Sequence, residues 1–392
     1  MAADKALASS PGSLDARLTQ RLKDLRAADL YRSLSAPHGI DLCSNDYLGL
    51  SQHPTLKSRM AAAVEAEGTG STGSRLLRGE RTCFSHVEQS FAAFKQTERS
   101  LYFSSGYLAN VAVLTTFAEA GDVIFSDELN HASLIDGARL SRAEKVVFPH
   151  NDAAALERLL AEHERTGQSP GQRFVVVESL FSMDGDEAPL VDYAALCQKH
   201  GAALIVDEAH AVGIYGERGS GLIEARGITN DVFVSINTAG KALGVAGAFV
   251  AGSENAIEYL IQRGRPFIFS TAPPPATAAA LEASLEVMEK APERRLRLLT
   301  RAGQLRARLG LPGNSQIIPV ILGDNERALI VAKALQAEGF DVRAIRPPTV
   351  PAGTARLRIT VNQGLSKIAL DRFADALDAA MLDHAVKADT RS

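Results

Sequence analysis

From residue 107 to residue 252, short apolar runs alternate with segments whose apolar residues recur at helical spacing. The runs are "DVIFSD" (122–127), 145–148, "RFVVVES" (173–179), "AALIVDE" (202–208), "VFVSI" (232–236) and "GAFVAG" (247–252). Helical patterns lie at 107–119, 133–141, 152–165 and 190–200. Runs this apolar suit strands buried on both faces, and a helix between them carries the chain back across the sheet. The expected fold is α/β, with a mostly parallel central sheet built from βαβ units.

The flanks extend the plan. Helical spacing predicts helices over 14–34, 55–67 and 85–97, and the small, polar residues 1–13 are expected to be disordered. Prolines at 273–275 break the pattern, because proline fits neither a helix interior nor a central strand. A long helix is expected through residue 309, then the strand "QIIPVIL", a helix over 325–338, and strands in "FDVRAI" and "RLRITV". The domains expected are an N-terminal helical segment (1–44), a large domain (45–280) and a smaller α+β domain (281–392).

Composition excludes several classes of function. The 42 basic and 46 acidic residues leave a net charge of −4, so no bulk attraction draws the chain to nucleic acid or an anionic membrane. Cys43, Cys83 and Cys197 lie far apart and form no CxxC pair, so neither a zinc site nor a disulfide framework is expected. The opening "MAADKALASSPGSLDARL" has no signal-peptide core. No run nears the roughly 18 apolar residues of a membrane span. A reducing cytoplasm is the expected compartment. Gly68-Thr-Gly70-Ser-Thr-Gly73 has the spacing of a dinucleotide fingerprint. It follows a helical segment where the fingerprint needs a strand, so a glycine-rich turn is expected instead.

The residue that stands out is Lys241, in "INTAGKALG". It follows an apolar strand and sits among small residues, where a charged lysine would be costly. "LIVDEAH" likewise puts Asp207 at the end of a strand, with His210 three residues on. Ligands of open α/β sheets bind outside these carboxyl ends. A strand-end lysine and a carboxylate are what pyridoxal phosphate requires: the lysine forms a Schiff base and the carboxylate keeps the ring nitrogen protonated. In "YFSSGYLAN", the amides of Ser105, Gly106 and Tyr107 could hold a phosphate at a helix N-terminus. His131 could stack on the ring, and Thr238 could offer its hydroxyl to the phosphate. Each has an ordinary explanation too: a helix cap, a helix start, a structural histidine, a turn threonine.

Together, "SNDYLGL", "SSGYLAN", "DELNHASLIDG", "FSMDGD", "VDEAHAVG", "GKALG" and "FIFSTAPPP" resemble the α-oxoamine synthases, a branch of the fold-type I pyridoxal-phosphate enzymes. The likeness spans roughly residues 14–380. The tail "GDNERALIVAKALQAEGFDVRAIRPPTVPAGTARLRIT" is most similar to the branch member of biotin synthesis. Gly240 fits that member too, where relatives commonly carry serine. Tyr107 stands where relatives often have phenylalanine, a small departure.

The resemblance implies a homodimer with sites at the interface, using pyridoxal 5'-phosphate. It implies decarboxylative condensation of L-alanine with a pimeloyl thioester carried by CoA or acyl-carrier protein (ACP). Lys241 would carry the Schiff base and Asp207 would pair with the ring nitrogen. His131 would stack on the ring and His210 would contact its hydroxyl region. Gly106, Tyr107, Ser182 and Thr238 would line the cofactor site. Ser270 and Thr271 would reach the neighbouring subunit's phosphate. Arg32 and Thr349 would contact the acyl substrate, and Asn45 and Arg358 the amino acid carboxylate. Arg356 and Arg358 share one face of a strand, so spacing does not separate them; the family pattern favours Arg358. A sister reaction would use glycine with acetyl- or succinyl-CoA. An aminotransferase and a cofactor-binding sensor are weaker readings.

Overall fold

The computed structural model describes residues 13–167 and 171–389, with side chains through residue 382. The chain divides into two compact units: a larger one of Ser44–Ile317 with Val361–Gly364, and a smaller one of the remaining segments.

Seven strands form the sheet of the larger unit. They are β1 (Arg99–Phe103), β2 (Val123–Asp127), β3 (Glu144–Phe148), β4 (Arg173–Glu178), β5 (Ala202–Asp207), β6 (Val232–Thr238) and β7 (Ala248–Gly252). Their spatial order is β1-β7-β6-β5-β4-β2-β3. β7 runs antiparallel to both its neighbours, β1 and β6. The β6–β5, β5–β4, β4–β2 and β2–β3 pairs are parallel. Val175, Val177, Val206 and Val234 are buried, as expected of strands covered on both faces. The helix Gly106–Phe117 buries Ala109, Ala112, Val113 and Leu114 in one cluster with Ile124, Val176, Ile205 and Val250. That packing fixes where its N-terminus points.

The smaller unit holds a three-stranded sheet ordered Ala344–Ile345, Ala355–Thr360, Ile317–Gly323. A parallel pair, Ile40–Asp41 with Phe340–Asp341, joins its two ends of sequence. The helices Asn325–Ala337 and Lys367–Asp389 belong to this unit. No helix among the described residues is long and apolar enough to cross a membrane.

Several elements differ from expectation. The first helix is Leu14–Ala27, capped by Ser13, and does not reach residue 34. The chain turns where Asp29 takes a φ of 55°. Residues 1–12 of the expected disordered segment lie outside the described residues. The helix expected through 309 is two, Pro275–Lys290 and Glu293–Leu309. Pro292 separates them: it disfavours helical geometry at Ala291, which takes φ −131° and ψ 55°. The boundary drawn at 280 falls inside the first of these helices, and both lie in the larger unit. "FDVRAI" forms two short strands rather than one. The glycine-rich segment 68–73 is non-helical and tied down: Ser71 Oγ donates to Pro273 O at 2.5 Å, and Gly73 O accepts from Ala272 N at 2.9 Å.

Candidate active site

The carboxyl ends of β4, β5 and β6 lie side by side, with Asp207 in register with Glu178 on one side and Ile236 on the other. Lys241 emerges three residues after β6 in a tight loop. Ala239 N donates to Gly247 O at 2.8 Å, and Gly244 N to Lys241 O at 2.9 Å. Gly244 has φ +69°, and a Cβ there would stand 2.5 Å from Ser51 N, so only glycine closes this loop. A Cβ on Gly240 would meet nothing nearer than 3.6 Å. Packing within the chain therefore admits a serine at that position.

Lys241 is half-buried. Its surroundings are less apolar than the flanking sequence implies, because β5 delivers a polar partner: Nζ lies 2.7 Å from His210 Nε2. His210 Nδ1 lies 2.6 Å from the hydroxyl of Tyr47, which is fully buried, and that hydroxyl lies 3.1 Å from Asn45 Oδ1. With the lysine as donor, Nδ1–H donates to Tyr47, and Tyr47 donates to Asn45. The chain joins three of the expected residues through one the sequence did not single out.

A second chain of contacts starts at Asp207. Its carboxylate accepts from the Asn110 side chain at 2.7 Å and from Ala209 N at 2.8 Å. The Asn110 amide also donates to Ser133 Oγ at 2.8 Å, and Ser133 Oγ lies 2.7 Å from His131 Nδ1. His131 caps the helix Ala132–Leu140. Burial holds its pKa below the ordinary histidine value, and the nearby Lys241 charge adds to that, against the pull of Asp207. Asn110 was legible as the one amide side chain in an apolar helix, flanked by the buried Ala109 and Val111.

Glu178 is the other group not anticipated. It is fully buried at the end of β4, and one of its oxygens, Oε1, has no partner. Burial first, and then the charge of Asp207, raise its pKa to about 8, against Lys241 and the backbone N–H groups of His131 and Ser182. The sequence signal was available: a carboxylate ends "RFVVVE", the strand next to that of Asp207.

The start of the helix Gly106–Phe117 forms a cradle. The Ser105 side chain caps it, accepting from Leu108 N at 3.3 Å. The N–H groups of Gly106 and Tyr107 are left at the open first turn. A Cβ on Gly106 would fall 2.5 Å from Thr238 Oγ1. Glycine lets the helix start approach that hydroxyl this closely, and exposed N–H groups beside a hydroxyl suit an anion. The Tyr107 hydroxyl donates to Asp136, which raises its pKa. Ser270 and Thr271 line a recess with Arg75 and Phe103.

Arg32, Thr349 and Arg358 belong to the smaller unit, and Asn45 to the larger. Arg32 Nη2 donates to Pro347 O at 3.1 Å, and Arg346 donates to the carbonyls of Asp29 and Tyr31. These bonds hold the segment after the first helix beside the turn that carries Thr349. Arg356 and Arg358 are both buried. Arg358 donates to Thr360 Oγ1 at 2.9 Å and Arg356 to Thr354 O at 3.0 Å.

A lysine amine, a strand-end carboxylate, an imidazole in the same network and a helix-start anion cradle fit a flat, phosphorylated aldehyde cofactor. The family model for aminotransferase class I and II matches residues 37–377, and the chain belongs to that family. Within it, the chain is 44% identical over 377 residues to the 8-amino-7-oxononanoate synthase of Geobacter sulfurreducens, covering 91% of this chain and 95% of that one. The protein of that name from Bordetella petrii is 46% identical over 362 residues, covering 88% and 90%. Serine palmitoyltransferase from S. paucimobilis, solved with a PLP–myriocin aldimine, matches with a TM-score of 0.87 at 30% identity, covering 95% and 100%. The 8-amino-7-oxononanoate synthase structure from Francisella tularensis matches with a TM-score of 0.76 at 28% identity, covering 88% and 99%. The expected fold-type I class and the α-oxoamine synthase resemblance are borne out.

Proposed function

We propose that this chain condenses L-alanine with a pimeloyl thioester, releasing the carrier thiol, carbon dioxide and 8-amino-7-oxononanoate, a step of biotin synthesis. The observation that carries the reading is the placement of Asp207 at the end of β5 and Lys241 three residues past the adjacent β6, with the lysine against His210 and the carboxylate linked to His131 through Asn110 and Ser133. The common name of the curated relatives supports the two donors.

Pyridoxal phosphate, when bound, supplies an electron sink for the charge that develops at the amino acid α-carbon. Gly106, Tyr107 and Thr238 hold its phosphate, with Ser105 fixing the helix start. Asp207 would pair with the ring nitrogen, and Asn110 and Ala209 N hold that carboxylate in place. His131 would stack on the ring, and Ser182 would line the same site. His210, fixed by Tyr47, faces the ring hydroxyl. Lys241 would anchor the cofactor, and its amine would serve as the general base for the α-proton. Asn45 and Arg358 bind the amino acid carboxylate, and Arg32 and Thr349 the acyl chain. Ser270 and Thr271 serve the site of the second subunit of a homodimer. The acyl carrier is CoA or ACP, and the compartment is the cytoplasm.

The test is thiol release measured across amino acid and acyl donors, with the product mass. Alanine-dependent release from a pimeloyl thioester is expected. Strict dependence on glycine with acetyl- or succinyl-CoA would overturn the reading in favour of the sister reaction.

A further inference from the structure

His150 lies outside the groups assigned above. It follows β3 and is partly buried. Its Nδ1 lies 3.0 Å from Asp127 Oδ1, and its Nε2 lies 2.8 Å from Asp186 Oδ2. An imidazole with a carboxylate at each nitrogen carries both protons. Its ring meets Phe181 edge-on at 4.4 Å between centroids. Asp127 is buried at the end of β2 and also accepts from Leu129 N at 2.8 Å and Asn151 N at 2.9 Å. The Asn151 side chain donates to Asp186 Oδ2 at 2.8 Å.

Two segments therefore meet on this imidazolium: 127–131, which ends in His131, and 180–187, which carries Ser182. The second closes on itself, with Phe181 N donating to Asp186 O at 2.9 Å and Gly185 N to Phe181 O at 2.9 Å. The same two segments also meet on Glu178, through the backbone N–H groups of His131 and Ser182. Each segment is thus held at two points, by Glu178 and by His150.

We infer that His150 is a positioning residue, a charged rivet that sets the spacing of the two segments carrying His131 and Ser182. The inference rests on the reading of those two residues as parts of the cofactor site. Loosening the rivet lets the segment 180–187 shift against β2, and misplacement of about 1 Å in an active centre can lower a rate roughly a hundredfold.

The test compares His150→Gln and Asp186→Asn with Leu335→Ala, a core truncation in the smaller unit. The first readout is the His131 titration midpoint, followed by NMR of the ring in the cofactor-free protein. The second is the pH profile of kcat/KM in the holoenzyme. Both site variants are expected to move the His131 midpoint and to lower kcat by roughly tenfold to a hundredfold. The double variant is expected to be no worse than His150→Gln alone, since removing the imidazole already removes the contact that Asp186→Asn weakens. Leu335→Ala is expected to lower only the melting temperature. An unmoved His131 midpoint and an unmoved profile in both site variants, at any melting temperature, would overturn the inference. The NMR readout needs no substrate, so it stands even if the donor assay rejects pimeloyl thioester.

Discussion

Asp207 and Glu178 end adjacent strands in register, both buried, yet their surroundings treat them differently. Asp207 accepts from an amide side chain and from a backbone N–H. Glu178 also receives two backbone N–H groups, but it is more completely enclosed, faces the Asp207 charge and leaves one oxygen unpaired. Its pKa near 8 means it holds its proton at neutral pH. Two carboxylates one strand apart thus sit in different surroundings, and it is the more enclosed Glu178 whose proton burial retains.

The largest effect expected on this pair comes from Lys241→Ala. That variant should bind pyridoxal phosphate without borohydride-stable attachment and lose turnover by at least about a thousandfold. Because the lysine charge lowers the Glu178 pKa, removing it should also raise that midpoint above 8 in the cofactor-free protein. Carboxyl NMR measures this, and a midpoint that falls breaks the comparison.

Asp207→Asn should lower kcat by roughly a hundredfold or more, since the ring nitrogen loses its anionic partner. The Glu178 midpoint should then fall, as the neighbouring charge that raises it is gone. If the midpoint does not move, desolvation alone sets it.

Asn110→Ala should cost about 1–3 kcal/mol of stability, because a buried carboxylate loses a donor. It also cuts the link from Asp207 through Ser133 to His131. Denaturant unfolding checks the stability, and the His131 titration checks the link.

The remaining effect is on stability against pH. Glu178 binds its proton up to about pH 8 when folded, against an ordinary value of 4.5, so the folded state holds more protons between those limits. His150 does the same between its ordinary 6.5 and about 10. In both cases stability falls as pH rises. The His150 contribution is fully present below pH 6.5 and lost as pH approaches 10. The melting temperature should therefore decline from about pH 5 to pH 10. Glu178→Gln should flatten the lower part of that decline, and His150→Gln the upper part. An unchanged slope in Glu178→Gln would mean that Glu178 is ionised at neutral pH.

Much of this was legible in the chain. The strands of the larger sheet were visible because each is an apolar run between helical periods. Lys241, Asp207 and His210 were visible because strand ends in such a sheet open on its ligand crevice. Local rules failed where a break was short, at Pro292 and at Asp29. They failed also where a group's role depends on residues far away in sequence. Glu178 reads as the last residue of a strand, Asn110 as a polar residue in a helix and Tyr47 as part of a motif. None of them announces that it touches Asp207 or His210.

What the sequence by itself determined was the order of elements and the kinds of group that reach the carboxyl edge of the sheet, since both follow from periodicity and strand length. The tertiary structure decided which groups meet: Lys241 with His210, Asp207 with Asn110, and His150 with two carboxylates. It also decided which carboxyl keeps its proton. Both depend on burial and on distances of a few ångströms between residues tens to hundreds of positions apart, which no local pattern encodes.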